Sequence, residues 1–323
     1  MPIVEKSAYR PPPGLSNGHV QTMFPALFRR KPVITRERKR ILTPDGDFLD
    51  LDWDTTPRSG RVAIISHGLE GDSTNTYVQG MAAALQRDGW DTLAWNFRGC
   101  SGEPNRLLRS YHSGATEDLH AVVEHALDTE RYDRVALVGF SLGGNMLLKY
   151  LGDLGPLIDM RISHGVAFSV PCQLAASSKH LEGLRNRIYM RRFLNSLSEK
   201  IRQKMTAFPG QLSDAGLDAM RTFREFDGAY TAPMHGFASA EEYWEKASCE
   251  TVLEDIAVPT LLVNARNDPF LPPTCFPWEA ARNSERFFLE APRSGGHVGF
   301  VAFNPQNEYW SETRTVAFLR DSA

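Results

Sequence analysis

Ser141 sits in Gly139-Phe140-Ser141-Leu142-Gly143, and Asp268 and His297 follow it in the chain. A serine hydroxyl attacks a carbonyl near neutral pH only when an imidazole takes its proton and a carboxylate holds that imidazole in one tautomer. The three residue types occur here in the order Ser, Asp, His, 127 and then 29 residues apart. Asp268 lies in Asn264-Ala265-Arg266-Asn267-Asp268-Pro269, directly after the apolar run Thr260 to Val263. His297 lies in the glycine-rich Ser294-Gly295-Gly296-His297-Val298-Gly299-Phe300. Acyl transfer also needs donors for the oxyanion that develops on the attacked carbonyl. The turn Ser66-His67-Gly68-Leu69-Glu70-Gly71 is placed to supply one, so the expected pair is Leu69 N–H and Leu142 N–H. His67 is expected to brace that turn. His164, His180 and His235 are expected to be structural or to form pocket wall, and Asp214, Asp218, Asp227 and Asp255 to be surface or capping acids.

These groups meet only if the chain around them folds as strands ending at one edge. Val62-Ala63-Ile64-Ile65, Thr92-Leu93-Ala94-Trp95, Val135-Ala136-Leu137-Val138, Gly165-Val166-Ala167-Phe168 and Thr260-Leu261-Leu262-Val263 are short continuous apolar runs, the texture of strands buried on both faces. Helix-period segments separate the first three, around Tyr77 to Arg87 and after Thr116. Arg286-Phe287-Phe288-Leu289 reads as a last strand and Trp310 to Leu319 as a last helix. The fold class is α/β, with a mostly parallel central sheet flanked by helices. Ser141 falls at a strand-to-helix reversal, where flanking glycines avoid collision and the helix N-terminus favours negative charge. Residues 171–250 contain no comparable strand but do contain amphipathic helix, with Met190, Leu194, Leu197 and Ile201 at steps of four, three and four. They are expected to form an inserted helical cap, leaving residues 1–170 and 251–323 as the core.

Composition narrows the function further. The chain has 323 residues, 42% of them hydrophobic, and 36 Lys+Arg against 39 Asp+Glu for a net charge of −3. That balance gives no global attraction to nucleic acid or to an acidic membrane. No apolar run approaches the length of about 20 residues needed to cross a bilayer. Met1 to Arg30, with Pro11-Pro12-Pro13, lacks the apolar core of a signal peptide, so a cytoplasmic protein is expected. Cys100, Cys172, Cys249 and Cys275 are widely spaced and are expected to be reduced, buried thiols. No phosphate-binding glycine loop and no metal-ligand spacing occurs, so no metal and no cofactor is expected. Two basic stretches stand out: Arg29, Arg30, Lys31, Arg36, Arg38, Lys39 and Arg40 around Glu37, and Arg185, Arg187, Arg191, Arg192, Lys200, Arg202 and Lys204 in the cap. The second lies on a helix with an apolar stripe and could contact an anionic lipid surface; the plainer expectation for both is a solvated face balanced by acids elsewhere.

With His67-Gly68-Leu69, Asn96-Phe97-Arg98-Gly99-Cys100-Ser101-Gly102, Gly139-Phe140-Ser141-Leu142-Gly143-Gly144-Asn145, Asn267-Asp268-Pro269 and Gly296-His297-Val298-Gly299, the chain resembles the YheT-type branch of the α/β-hydrolase superfamily nearly end to end. The N-terminal Asn17-Gly18-His19-Val20-Gln21-Thr22 resembles a segment of that branch as well. The resemblance implies an esterase or lipase-like hydrolase, with nucleophile, orienting acid and base at Ser141, Asp268 and His297. Some eukaryotic members are membrane-anchored phospholipases or acyltransferases. The expected function is hydrolysis of a small-molecule ester or lipid, with at most peripheral membrane contact. An acyltransferase using the same triad and a non-catalytic binding protein on the same scaffold are the alternatives.

Overall fold

A computed structural model describes residues 2–32, 35–56 and 59–321. Its strands are β1 (Ile3–Val4), β2 (Glu37–Leu42), β3 (Phe48–Asp54), β4 (Arg61–Ser66), β5 (Asp91–Asn96), β6 (Arg134–Phe140), β7 (Ile162–Phe168), β8 (Thr260–Val263) and β9 (Phe287–Glu290). They form one sheet in the order β1-β9-β8-β7-β6-β4-β5-β3-β2. Every pairing is parallel except β2 with β3 and β3 with β5. The apolar runs read from the sequence are the central parallel strands, and they are buried on both faces.

Helices cover both sides of the sheet. One layer packs α2 (Thr76–Arg87) and the C-terminal Trp310–Asp321 helix around Val78, Met81, Leu85, Phe318 and Leu319. The other packs α3 (Thr116–Leu127) and α4 (Leu142–Leu154) through Leu119, Val123, Met146 and Leu147. Ahead of them in the chain stands α1 (Gly18–Phe28), whose N-terminus is capped by the Asn17 side chain accepting from His19 and Val20 N–H. Between β7 and β8 come α5 (Leu174–Leu181), α6 (Arg187–Ala207), α7 (Phe223–Phe226), α8 (Ala232–Met234) and α9 (Ala240–Ala247), with no strand among them. Met190, Leu194 and Ile201 of α6 are buried in a cluster of their own with Phe226, Tyr230, Phe270 and Leu271.

The antiparallel end of the sheet and the C-terminal helix supply acids for three cations of the first basic stretch. Arg38 and Arg40 lie on β2 opposite Asp52 and Asp50 of β3, and each guanidinium grips its cross-strand carboxylate with Nε–Oδ1 of 2.7 Å. Arg29 is buried, paired with Glu312 at 2.6 Å and set 3.8 Å from the Tyr309 ring centre. These three cations, Arg29, Arg38 and Arg40, are neutralised within the fold.

Arg98 is the deepest cation of this region, with its side chain 1% exposed. It forks onto Asp118 at 2.8 and 2.6 Å and reaches Asp45 at 2.8 Å and Asp47 at 3.2 Å. Removing a buried cation strands its carboxylates, so Arg98→Met is expected to destabilise the fold by about 3–5 kcal/mol. Urea unfolding would read this as a lower midpoint at unchanged slope.

Candidate active site

Ser141 stands between β6 and α4 with φ +52°, a backbone region that L side chains rarely occupy and that stores strain. The neighbouring glycines let the turn close. A Cβ at Gly139 would lie 2.6 Å from Gly143 O, and one at Gly143 would lie 2.3 Å from His67 O. Ser141 N–H donates to Phe168 O at 2.8 Å, fixing the turn to the end of β7. Leu142 opens α4, so its N–H points out of the helix start beside the hydroxyl.

His297 Nε2 is 2.9 Å from Ser141 Oγ, and His297 Nδ1 is 2.9 Å from Asp268 Oδ2 and 3.1 Å from Oδ1. Residues from three distant parts of the chain are thus brought together in one hydrogen-bonded row. The Asp268 side chain is fully shielded from solvent and that of His297 is 10% exposed. Asp268 Oδ1 also accepts from Phe270 N–H at 2.8 Å, and the Phe270 ring lies 4.1 Å from the imidazole, centre to centre.

The N-terminal segment braces this row, a role its sequence did not disclose. Thr22 Oγ1 accepts from His297 N–H at 2.9 Å. Asn267, the neighbour of Asp268, accepts from Gly296 N–H at 3.0 Å and donates to Ser16 O at 2.8 Å. A Cβ at Gly18 would lie 1.9 Å from Asn267 O, so Gly18 is the contact that lets α1 seat against both loops. Gln21 is fully buried and accepts from Tyr9 Oη at 2.8 Å.

Leu69 and Leu142 line the same cavity as Ser141 and His297. Among the described residues, neither Leu69 N–H nor Leu142 N–H donates to any group in the chain. The turn that carries Leu69 is held from three sides. Gly68 N–H donates to Tyr77 Oη at 2.9 Å. His67, fully buried, has Nδ1 2.8 Å from Gly68 O and Nε2 accepting from Phe97 N–H at 3.1 Å. Burial lowers the His67 imidazole to about 4, so it is neutral at physiological pH and serves as a brace.

Glu70, with φ +53°, is tied to α6. Its carboxylate takes Lys200 Nζ at 2.9 Å, the Tyr111 hydroxyl at 2.6 Å and the Ser196 hydroxyl. Burial alone would raise the Glu70 carboxyl, but Lys200 and the hydroxyl donors outweigh it and hold it below its usual range. Cys100, half-buried rather than buried as expected, lies 3.0 Å from the same Lys200 amine. The other three thiols are buried and all four are free.

The cavity, with a volume of about 120 Å³, runs from Ser141 to the helices between β7 and β8, where Leu181, Phe193 and Phe223 make it largely apolar. Asp227, expected at the surface, is instead buried in this wall. It occupies a π-helical turn, Asp227–Thr231, and accepts from Thr231 Oγ1 at 2.6 Å and Trp244 Nε1 at 2.9 Å. Burial raises its carboxyl from the usual 3.8 to about 6, against these two hydrogen bonds. The folded chain therefore holds this proton where the unfolded chain has lost it, and stability falls as pH rises from about 4 to about 6. Asp227→Asn is expected to remove that part of the slope, read from urea midpoints across the same window.

Elsewhere, His235 has its two ring nitrogens near Thr231 O and Ser110 O, and His164 rests edge-on to Phe318. Among the described residues, no group of three or more His, Cys, Asp or Glu could hold a metal ion.

A mostly parallel sheet with a serine at such a strand-to-helix reversal is the architecture of an α/β hydrolase. The chain belongs to the α/β-hydrolase fold family, whose model matches residues 63–301. It is 39% identical over 314 residues to "Putative esterase YheT" of Escherichia coli, covering 95% of this chain and 91% of that protein. It is 28% identical over 311 residues to the human phospholipase ABHD3, covering 93% and 75%. Among solved structures, the Pyrococcus furiosus esterase Pf2001 has a similar fold, with a TM-score of 0.60 at 18% identity over 91% of this chain and 98% of that one. The relatives thus include hydrolases of the esterase and lipase type.

Proposed function

We propose that this protein is a serine hydrolase that cleaves carboxylic esters, including lipid esters, through an acyl-enzyme on Ser141. The observation that carries the proposal is the continuous contact from Ser141 Oγ to His297 Nε2 and from Nδ1 to Asp268, both steps at 2.9 Å. Asp268 accepts a hydrogen bond from Nδ1–H, which keeps the ring proton on Nδ1 and leaves Nε2 with a lone pair facing the hydroxyl. Ser141 Oγ attacks the ester carbonyl as its proton passes to Nε2. Leu69 N–H and Leu142 N–H receive the oxyanion. The tetrahedral adduct then collapses, and the leaving alkoxide takes the proton from Nε2. Water repeats the sequence on the acyl-enzyme, giving up a proton to Nε2 and releasing the acid.

Residues 171–250 act in this reading as a cap whose apolar side chains cover the acyl group. Its helices contribute Leu174, Leu181, Phe193 and Leu197 to the cavity. The names of the relatives, an esterase and a phospholipase, agree with an ester as substrate.

A fluorophosphonate probe is the direct test, because it labels a serine only when that serine is activated. Labelling that is lost in Ser141→Ala supports the proposal, and labelling that survives it sinks it. An ester series from acetyl to long acyl then sets the chain length. Added alcohol separates hydrolysis from acyl transfer by product partition.

A further inference from the structure

The exposed apolar residues of this protein are not scattered. Ten large hydrophobic side chains are exposed among the described residues, and seven of them are Val20, Met23, Leu27, Phe28, Leu184, Ile188 and Phe303. The first four lie on α1, where Gly18, Gln21 and Pro25 face the body of the protein and Val20, Met23 and Leu27 follow at helical spacing on the outer side. Phe24 joins Phe28 at 5.1 Å and Phe303 at 5.9 Å between ring centres, so this face is one patch. Leu184 lies in the turn just before α6 and Ile188 in its first turn, and the link between the two groups is direct. His19 of α1 stacks on Tyr189 with ring centres 5.8 Å apart and planes 6° from parallel.

Cations border this apolar collar. Arg185, Arg187, Arg191 and Arg192 surround Ile188, and Arg30 and Lys31 follow Phe28; all six are exposed. Among the described residues none of the six forms an ion pair, whereas Arg29, Arg38, Arg40, Arg98, Lys200 and Arg202 all do. Glu182, the acid nearest Leu184 in the chain, is already taken by Lys179. Arg187 and Arg191 also wall a cleft of about 890 Å³ beside Leu184 and Ile188. An apolar ridge flanked by unpaired arginines matches the boundary of an anionic bilayer, with side chains entering the acyl region and guanidinium groups meeting phosphates. No helix among the described residues is long and apolar enough to cross a membrane, so the contact is interfacial.

The collar also leads to the site. Tyr189 packs on Phe270 at 4.8 Å, and Phe270 packs on His297. On the other side, Thr22 of α1 holds His297 N–H. We propose that the face formed by α1, Phe303 and the start of α6 docks on an anionic phospholipid bilayer and presents the Ser141 cavity to lipid esters resident in it. The substrate class rests on the esterase reading above; the docking surface stands on its own observations.

Flotation with vesicles tests it. The full chain is expected to float with phosphatidylcholine vesicles containing phosphatidylglycerol, less with pure phosphatidylcholine, and less again as salt rises. The paired change Phe28→Asp and Ile188→Asp, and separately Arg185→Glu with Arg187→Glu and Arg191→Glu, are each expected to lower binding by about tenfold or more. Turnover of a short soluble ester is expected to stay unchanged in both, which also certifies that they fold. Absence of binding to anionic vesicles, or equal binding by wild type and variants, overturns the proposal. So does a dimer in light scattering that Phe28→Asp dissolves, because a second copy would then be the occupant. Vesicle binding by a protein without ester turnover would overturn the esterase reading and leave the docking surface standing.

Discussion

Ser141→Ala is expected to lower kcat on a soluble ester by about 10⁶-fold, with the KM little changed, because residues of such a row act as a unit and the proposed nucleophile is its first member. The change removes one oxygen and leaves the backbone with the same demand, since alanine at φ +52° is strained as serine is. Ser141→Gly makes a useful companion. It removes the same oxygen but accepts that φ freely, so it is expected to be inactive while raising stability by about 1 kcal/mol or more. Activity and thermal unfolding of the two variants separate loss of the nucleophile from loss of fold. Turnover near the wild-type rate in either variant would rule out an acyl-enzyme on Ser141.

Asp268→Asn is expected to lower kcat by about 10⁴-fold through the tautomer of His297 alone. The surroundings decide which way the amide would sit. Asp268 Oδ1 accepts from Phe270 N–H at 2.8 Å, so the amide oxygen is held there and its NH2 takes the place of Oδ2 against His297 Nδ1. A donor at that point makes Nδ1 an acceptor and puts the imidazole proton on Nε2. The ring can then no longer take the hydroxyl proton of Ser141. Loss of fluorophosphonate labelling at unchanged thermal stability would mark this effect. A loss of activity of less than tenfold would show that the orienting acid lies elsewhere.

Much of the candidate site's geometry was legible because its residues stand at ends of apolar runs, and those runs are strands. Val135–Val138 and Thr260–Val263 fall within β6 and β8, so Ser141 and Asp268 follow from their positions after them. The antiparallel end was not legible in the same way. Glu37–Leu42 reads as a charge run, because an edge strand can carry Arg38 and Arg40 on one face when the next strand offers Asp52 and Asp50. The bracing by Thr22 and Asn267 was hidden for a different reason. It depends on contacts 275 and 29 residues apart in sequence, and nothing local marks a threonine hydroxyl as the acceptor for a distant amide. Asp227 was misread because an aspartate between helices is more often solvated, whereas here Thr231 and Trp244 supply the hydrogen bonds that let it be enclosed.

The tie between Glu70 and α6 joins the turn that carries Leu69 to a helix that walls the cavity. Swinging α6 outward to admit a bulky molecule would carry Lys200 and Ser196 away from the Glu70 carboxylate, one residue beyond Leu69. That carboxylate, its side chain 6% exposed, would lose its counterion and pull its turn toward water. On the proposed reading, the Leu69 turn would keep its present shape only while α6 stays seated over the cavity.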